Sequence, residues 1–175
     1  IVPGNPADGF ENDAMRMAAE TWTGEWWVHG GGGNAWHGFT YDAELDRLYI
    51  GTGNGSPWNR KVRSPAGGDN LFLCSIVALN PDTGRLAWYF QSSPHDTHDW
   101  DATQTPVLID GEVNGQPRKL LAQASRNGKF FVLDRVHGRA IVSTEYIKTN
   151  WSLGTDERGQ PIPNPAKRPQ IAGAL

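Results

Sequence analysis

The sequence predicts an all-β protein, and three observations carry the prediction. Eight tryptophans accompany 21 glycines in 175 residues, a pairing that suits packed sheets joined by tight turns better than a helical bundle. From Leu48 to Ser143, apolar runs of strand length alternate with turn signals. Two hairpins, VALNPDTGRLAW from residue 77 and FVLDRVHGRAIV from residue 131, share an apolar strand, a turn that opens at Asn80 or Asp134 and closes with Gly-Arg, and an apolar return. Repeated antiparallel units of this kind suggest a β-propeller of four-stranded blades, with a sandwich as the alternative. At roughly 45 to 60 residues per blade, the length makes about three blades, too few to close a ring.

Each element follows from local chemistry. FENDAMRMAAETW is the one helical segment expected, with Asn12 or Asp13 as N-cap and Met15, Ala18 and Ala19 on one face. The loop EWWVHGGGGNAWHGFTYD follows, and its four glycines exclude regular structure while letting the backbone approach something closely. A turn from Asp42 to Asp46 leads into LYIGTG, a strand of buried type. SIVALNPDTGRLAWYFQ is a hairpin; TPVLI, a polar DGEVNGQ turn and KLLAQAS come next, and then RNG and the second hairpin.

Composition excludes several classes. At 38% apolar the chain is long enough for one domain, 1–175. No run approaches the ~18 apolar residues of a membrane span. A net charge of −3 with scattered basic residues argues against a nucleic-acid partner. The single cysteine, Cys74, excludes an internal disulfide or a Cys-rich metal site and reads as a core strand residue. The chain opens at Ile1 in a Pro/Gly-rich loop and shows no targeting segment, which reads as an internal piece of a longer protein.

The chemistry concentrates at HDTHDWDATQTP, where residues 95–101 hold three aspartates and two histidines. In an extended segment Asp99 and Asp101 point to one side and reach a single hard cation, which relieves their repulsion. The plain alternative is a solvated acidic turn. His95, Asp96 and His98 are expected to orient the loop; His95 and His98 lack the third ligand a zinc site needs. Asn54 in GTGNGSPWN is either an amide ligand or a left-handed turn residue beside glycine. Trp36, after HGGGGNA, can lie against a planar group or pack a blade, as Trp88 is expected to do. Arg126 in SRNG can bind an anionic group with its fork or simply face solvent.

Four stretches, VALNPDTGRLAW (77–88), HGGGGNAWHGFTYDAELDRLYIGTGNGSPWN (29–59), SSPHDTHDWDATQTPVL (92–108) and SRNGKFFVLDR (125–135), resemble the pyrroloquinoline quinone (PQQ) dependent alcohol dehydrogenases of the methanol and ethanol type. The first is similar to the tryptophan-docking repeat of that family. The resemblance implies an eight-bladed propeller with PQQ and a metal ion near its axis. It implies Asp99 as catalytic base and metal contact, Asn54 as metal ligand, Trp36 as the floor under the quinone, Arg126 on the quinone oxygens and Asn34 at the quinone edge. In this family an Ala, Ser or Thr two residues after the base goes with calcium and an Asp with a lanthanide, so Asp101 implies a lanthanide ion, with calcium as the alternative.

The activity implied is oxidation of a small primary alcohol to an aldehyde, with electrons passing to a cytochrome c in the periplasm. A homodimer is left open. Two rival readings are a dehydrogenase of a sugar or polyol and a non-catalytic propeller that binds proteins; the latter has no use for Trp36, Asn54, Asp99, Asp101 and Arg126 together.

Overall fold

A computed structural model of the chain describes residues 1–169. In chain order the elements are α1 (Asp13–Ala19), β1 (Gly31–Gly32), β2 (Thr40–Asp42), β3 (Arg47–Gly51), β4 (Gly55–Ser56), α2 (Arg60–Arg63), β5 (Ser75–Leu79), β6 (Leu86–Gln91), β7 (Val107–Val113), β8 (Gln116–Ala124), β9 (Lys129–Asp134), β10 (Arg139–Glu145), β11 (Ser152–Thr155) and β12 (Pro161–Pro163). Strands β2-β3-β5-β6 form one antiparallel sheet of four and β7-β8-β9-β10 another, while β1 pairs with β4 and β11 with β12 as short ribbons. These are blades, and the all-β expectation holds. The two repeated hairpins are β5–β6 and β9–β10, the third and fourth strands of successive blades. Both carry a register shift, at Ala78/Leu79 and at Ala140/Val142.

Two blades are complete among the described residues, where length suggested about three. The difference lies in the connections, because residues 1–39, 92–106 and 146–169 form loops, short helices and ribbons rather than blade strands. Other departures are local. Gly31 and Gly32 of the glycine run do pair, with Ser56 and Gly55. A Cβ on Gly32 would lie 2.4 Å from the Asn54 carbonyl oxygen, so the close approach expected of the glycines is to this backbone. The polar DGEVNGQ stretch is mostly paired strand, and only Asn114 and Gly115, both with positive φ, make the turn. Cys74 is fully buried as expected, but in the turn just before β5. Helix α2 is a single turn capped by Asn59, too short to leave a periodic signal.

The expected helix is present. Asn12 Oδ1 accepts the Met15 N–H at 3.0 Å, and Ala18 is fully buried. It packs on one face of the first blade with Ile50, Leu71, Phe72 and Val77. Alternate residues, Tyr49, Ile76, Ala78, Trp88 and Phe90, turn to the other face and meet Leu121, Phe131 and Leu133 of the second blade. Both faces are covered, which is why these strands read as continuous apolar runs.

The joint between blades is polar as well as apolar. Trp88 lies against Gly138, where a Cβ would fall 2.5 Å from the indole, and its Nε1 donates to the Arg135 carbonyl at 3.1 Å. Tyr49 donates to the same oxygen at 3.0 Å, and burial pushes its hydroxyl pKa up to about 12, so it remains a donor. The Arg135 guanidinium reaches back to Asp42 at 2.6 Å and also pairs with Asp110 at 2.8 Å. Asp42 and Arg135 are each only 4% exposed.

Burial works to raise the Asp42 pKa, but hydrogen bonds from Arg135, Leu45 and Glu44 outweigh it and hold the carboxyl below its ordinary 3.8. A carboxylate with a depressed folded pKa adds stability above its unfolded value and loses it as pH falls through the folded one. Asp42→Asn, which removes the charge but leaves Arg135 its pair with Asp110, is expected to cost about 1–3 kcal/mol near neutral pH. Denaturant titration should show that cost shrinking as pH falls below about 4, where the unfolded chain takes up the proton first and the folded carboxylate follows at lower pH.

Candidate active site

At one end of the two blades, loops gather most of the residues singled out from the sequence. Asn34, Trp36 and Asn54 line one cleft of ≈ 240 Å³ together with Gly32, Gly33, Gly55, Ser56 and Trp58. The Trp36 indole lies against Gly53, where a Cβ would come within 2.5 Å of the ring, and 52% of the residue is exposed. Asn54 follows β3 by three residues and does not have positive φ, so the left-handed turn reading of this residue fails. Its N–H donates to Asp101 Oδ1 at 2.9 Å, and its carbonyl accepts from Gly33.

Asp101 is buried at 7% exposure, and its other oxygen pairs with Arg126 Nη1 at 2.8 Å. Arg126 sits in the β8–β9 turn as expected, and its side chain is half exposed. Trp36, Asn54, Asp101 and Arg126, spread over some ninety residues of sequence, are therefore joined through Gly53 and Asp101. Asp99 stands apart from this set. It has φ 65°, so Asp99-Trp100-Asp101 is not the extended segment expected, and the two-residue periodicity does not govern where its carboxylate points.

A turn built on Asp96 sets Asp99 in place. The Asp96 carboxylate accepts from the N–H groups of His98, Asp99 and Trp100 at 3.0, 3.1 and 3.2 Å. Burial raises its pKa above the ordinary carboxylate value, against the pull of these N–H groups and of Arg63. The histidines steady the same loop: His95 Nδ1 contacts the Gly68 carbonyl, and His98 stacks on Trp100 at 5.3 Å. All three residues make contacts that orient the loop.

Three anchors escaped sequence reasoning. Asn127 Nδ2 donates to Ser92 and Ser93 before the acidic turn, and Gln123 Nε2 donates to the carbonyls of Ala102 and Gln104 after it. Arg63, 1% exposed, donates to the carbonyls of Pro57, Trp58 and Asp96. Buried Asn, Gln and Arg in a sequence carry no pattern that separates them from surface residues. Trp58, in the GTGNGSPWN stretch, lines the cleft.

The site fits a planar, anionic aromatic group. A half-exposed indole backed by glycine offers a flat apolar floor, amides stand at its edge, and a guanidinium fork is near. Four of the buried side-chain polar atoms without a hydrogen-bond partner among the described residues, on Trp100, Thr103, Gln104 and Gln123, belong to this loop and its support. None of these residues lines the cleft, so the atoms belong to the support of the loop and not to the ligand space. For a metal ion the donors are hard oxygens on Asn54, Asp99 and Asp101; among the described residues no cluster of three or more His, Cys, Asp or Glu is placed to hold one.

Consecutive four-stranded antiparallel blades with an aromatic cleft at their loop end define a β-propeller. Residues 4–172 match the PQQ glucose/ethanol/alcohol dehydrogenase β-propeller domain, and the chain belongs to that family. It is 52% identical over 163 residues to the quinohemoprotein alcohol dehydrogenase of Comamonas testosteroni, covering 92% of this chain and 23% of that protein. The crystal structure of the Comamonas enzyme superposes with a TM-score of 0.93 at 50% identity, over 97% of this chain and 26% of that one. The 1-butanol dehydrogenase (cytochrome c) of Thauera butanivorans is 44% identical over 171 residues, 93% of this chain and 24% of that protein. A europium-containing methanol dehydrogenase matches with a TM-score of 0.79 and 37% identity, over 94% of this chain and 27% of its own. The chain thus spans about a quarter of the length of these relatives.

Because Gly53 gives Trp36 its seat, Gly53→Ala is expected to displace the indole and to destabilise the protein by about 1–3 kcal/mol, the usual cost of overpacking. Near-ultraviolet circular dichroism and a denaturant titration read the two effects separately.

Proposed function

We propose that the chain forms part of a PQQ-dependent enzyme that oxidises a primary alcohol to an aldehyde and passes the electrons to a cytochrome c. The observation that carries this reading is the joining of Trp36, Asn54, Asp101 and Arg126 at the loop end of the blades, beside the cleft that Trp36 and Asn54 line. The names of the relatives, alcohol dehydrogenases and one of them a cytochrome c enzyme, support it. Residues 1–175 then belong to one propeller domain of eight blades, in a protein that works in the periplasm.

Trp36 would supply a floor for the quinone ring, and Asn34 would donate to its edge. Arg126, oriented by its pair with Asp101, would stabilise negative charge on the reduced quinone. Asn54, Asp99 and Asp101 would hold the metal ion through hard oxygen donors. The chemistry supplied by bound PQQ and its metal is acceptance of hydride at a polarised quinone carbonyl. Asp99, set by the Asp96 turn, takes the proton from the alcohol hydroxyl. Asp101 adds a negative donor, which favours a trivalent lanthanide over calcium on simple electrostatics. The europium-containing methanol dehydrogenase among the structural relatives supports that choice.

The test uses the full-length protein reconstituted with PQQ and either calcium or a light lanthanide, following alcohol-dependent reduction of an artificial electron acceptor. Turnover with the lanthanide and little with calcium is expected. Asp99→Asn should lower kcat by roughly 10²- to 10⁴-fold, the usual contribution of a general base. Asp101→Thr should shift the preference toward calcium. Turnover of the wild type with calcium alone removes Asp101 from the metal site, and absence of PQQ binding with either metal overturns the enzyme reading.

A further inference from the structure

Arg63 is the most deeply buried charged side chain among the described residues, at 1% exposure, and it takes no part in the chemistry above. Its Nε donates to Asn70 Oδ1 at 3.2 Å, Nη1 to the carbonyls of Pro57 and Trp58 at 3.2 and 3.0 Å, and Nη2 to the carbonyl of Asp96 at 2.5 Å. The stem and fork lie against Gly55, where a Cβ would sit 2.5 to 2.7 Å from Cδ, Nε and Cζ. The Asp96 carboxylate attracts it from a distance, but no carboxylate forms a direct ion pair with it among the described residues. A buried charge without such a partner is costly, and an apolar side chain would fill the same space without that cost. The guanidinium alone offers donors to two separate segments from one rigid plane. One segment, 55–58, is the rim of the cleft and carries Trp58. The other begins at Asp96, whose carboxylate forms the turn that carries Asp99.

We propose that Arg63 is a positioning residue that locks the cleft rim at 55–58 to the Asp96 turn, so that Asp99 keeps a fixed place relative to the cleft. The inference deepens the function proposed above and rests on it for the role of Asp99; the mechanical coupling of the two segments does not. Misplacement of a reacting group by about 1 Å can cost on the order of 100-fold in rate. The loss therefore falls on turnover and not on substrate affinity.

The experiment compares wild type and Arg63→Lys in the full-length protein. Lysine keeps the charge and most of the volume but has no fork. Hydrogen–deuterium exchange without cofactor should show the amides within 55–58 and 98–101 exchanging about tenfold faster or more, with β8 and β9 unchanged. In the PQQ-loaded protein kcat should fall roughly 10- to 100-fold while KM stays within about twofold. Exchange that leaves either segment unchanged, or that rises throughout β8 and β9, overturns the proposal, as does an unchanged kcat. If the wild type shows no PQQ-dependent turnover, the function reading fails and exchange by itself decides the coupling. Should Arg63→Lys not fold, Asn70→Ser, which removes the Nε partner, must speed exchange in the same two segments; acceleration confined to residues 60–70 overturns the coupling.

Discussion

The Arg135 node is the constraint on which the rest depends. Its backbone oxygen receives the Trp88 indole and the Tyr49 hydroxyl from the first blade, and its guanidinium returns to Asp42 of that blade and to Asp110 of its own. Sheet twist narrows the angles at which two apolar faces pack, but hydrophobic contact itself is not directional. Hydrogen bonds and a buried ion pair are directional, and they add a specific register to the joint between the blades. The apolar contact of Phe90 with Phe131, at 5.1 Å, fills the same interface.

That register matters because the candidate site straddles the joint. Trp36 and Asn54 come from loops flanking the first blade, and Arg126 comes from a turn of the second. Asp101 lies on the connection between them and bonds to both sides, through the Asn54 N–H and through Arg126. A loop carrying such residues would be mobile if left to itself. Here Asn127 holds it before the acidic turn, Gln123 after it, and Arg63 in the middle. Rigid blades place these anchors, and the anchors place the chemistry.

Asp101 shows why one residue can support two accounts. It is an anionic oxygen donor suited to a hard cation, and it is also the partner that aims Arg126. A carboxylate has about four lone-pair directions, so two N–H contacts do not exhaust it. Orientation of the guanidinium and ligation of an ion by the same side chain are compatible, and each makes the other more specific.

Much of this was legible in the residues. The apolar runs and turn residues located the helix and the blade hairpins, because burial on two faces and tight reversal leave direct marks on sequence. The equivalence of VALNPDTGRLAW and FVLDRVHGRAIV was visible for the same reason, and so was the use of Trp88 between blades. The run of glycines announced a close backbone approach, though only the folded chain shows that the Asn54 segment is what approaches. What local sequence could not show was position. The left-handed turn at Asp99 depends on Asp96 receiving three N–H groups, and the roles of Arg63, Gln123 and Asn127 depend on carbonyls brought from distant segments. The sequence by itself determined the kinds of element and the kinds of chemistry, since both follow from side chains and their near neighbours. Tertiary structure alone decided which polar groups meet, because hydrogen bonding between distant segments depends on distances that no local pattern encodes.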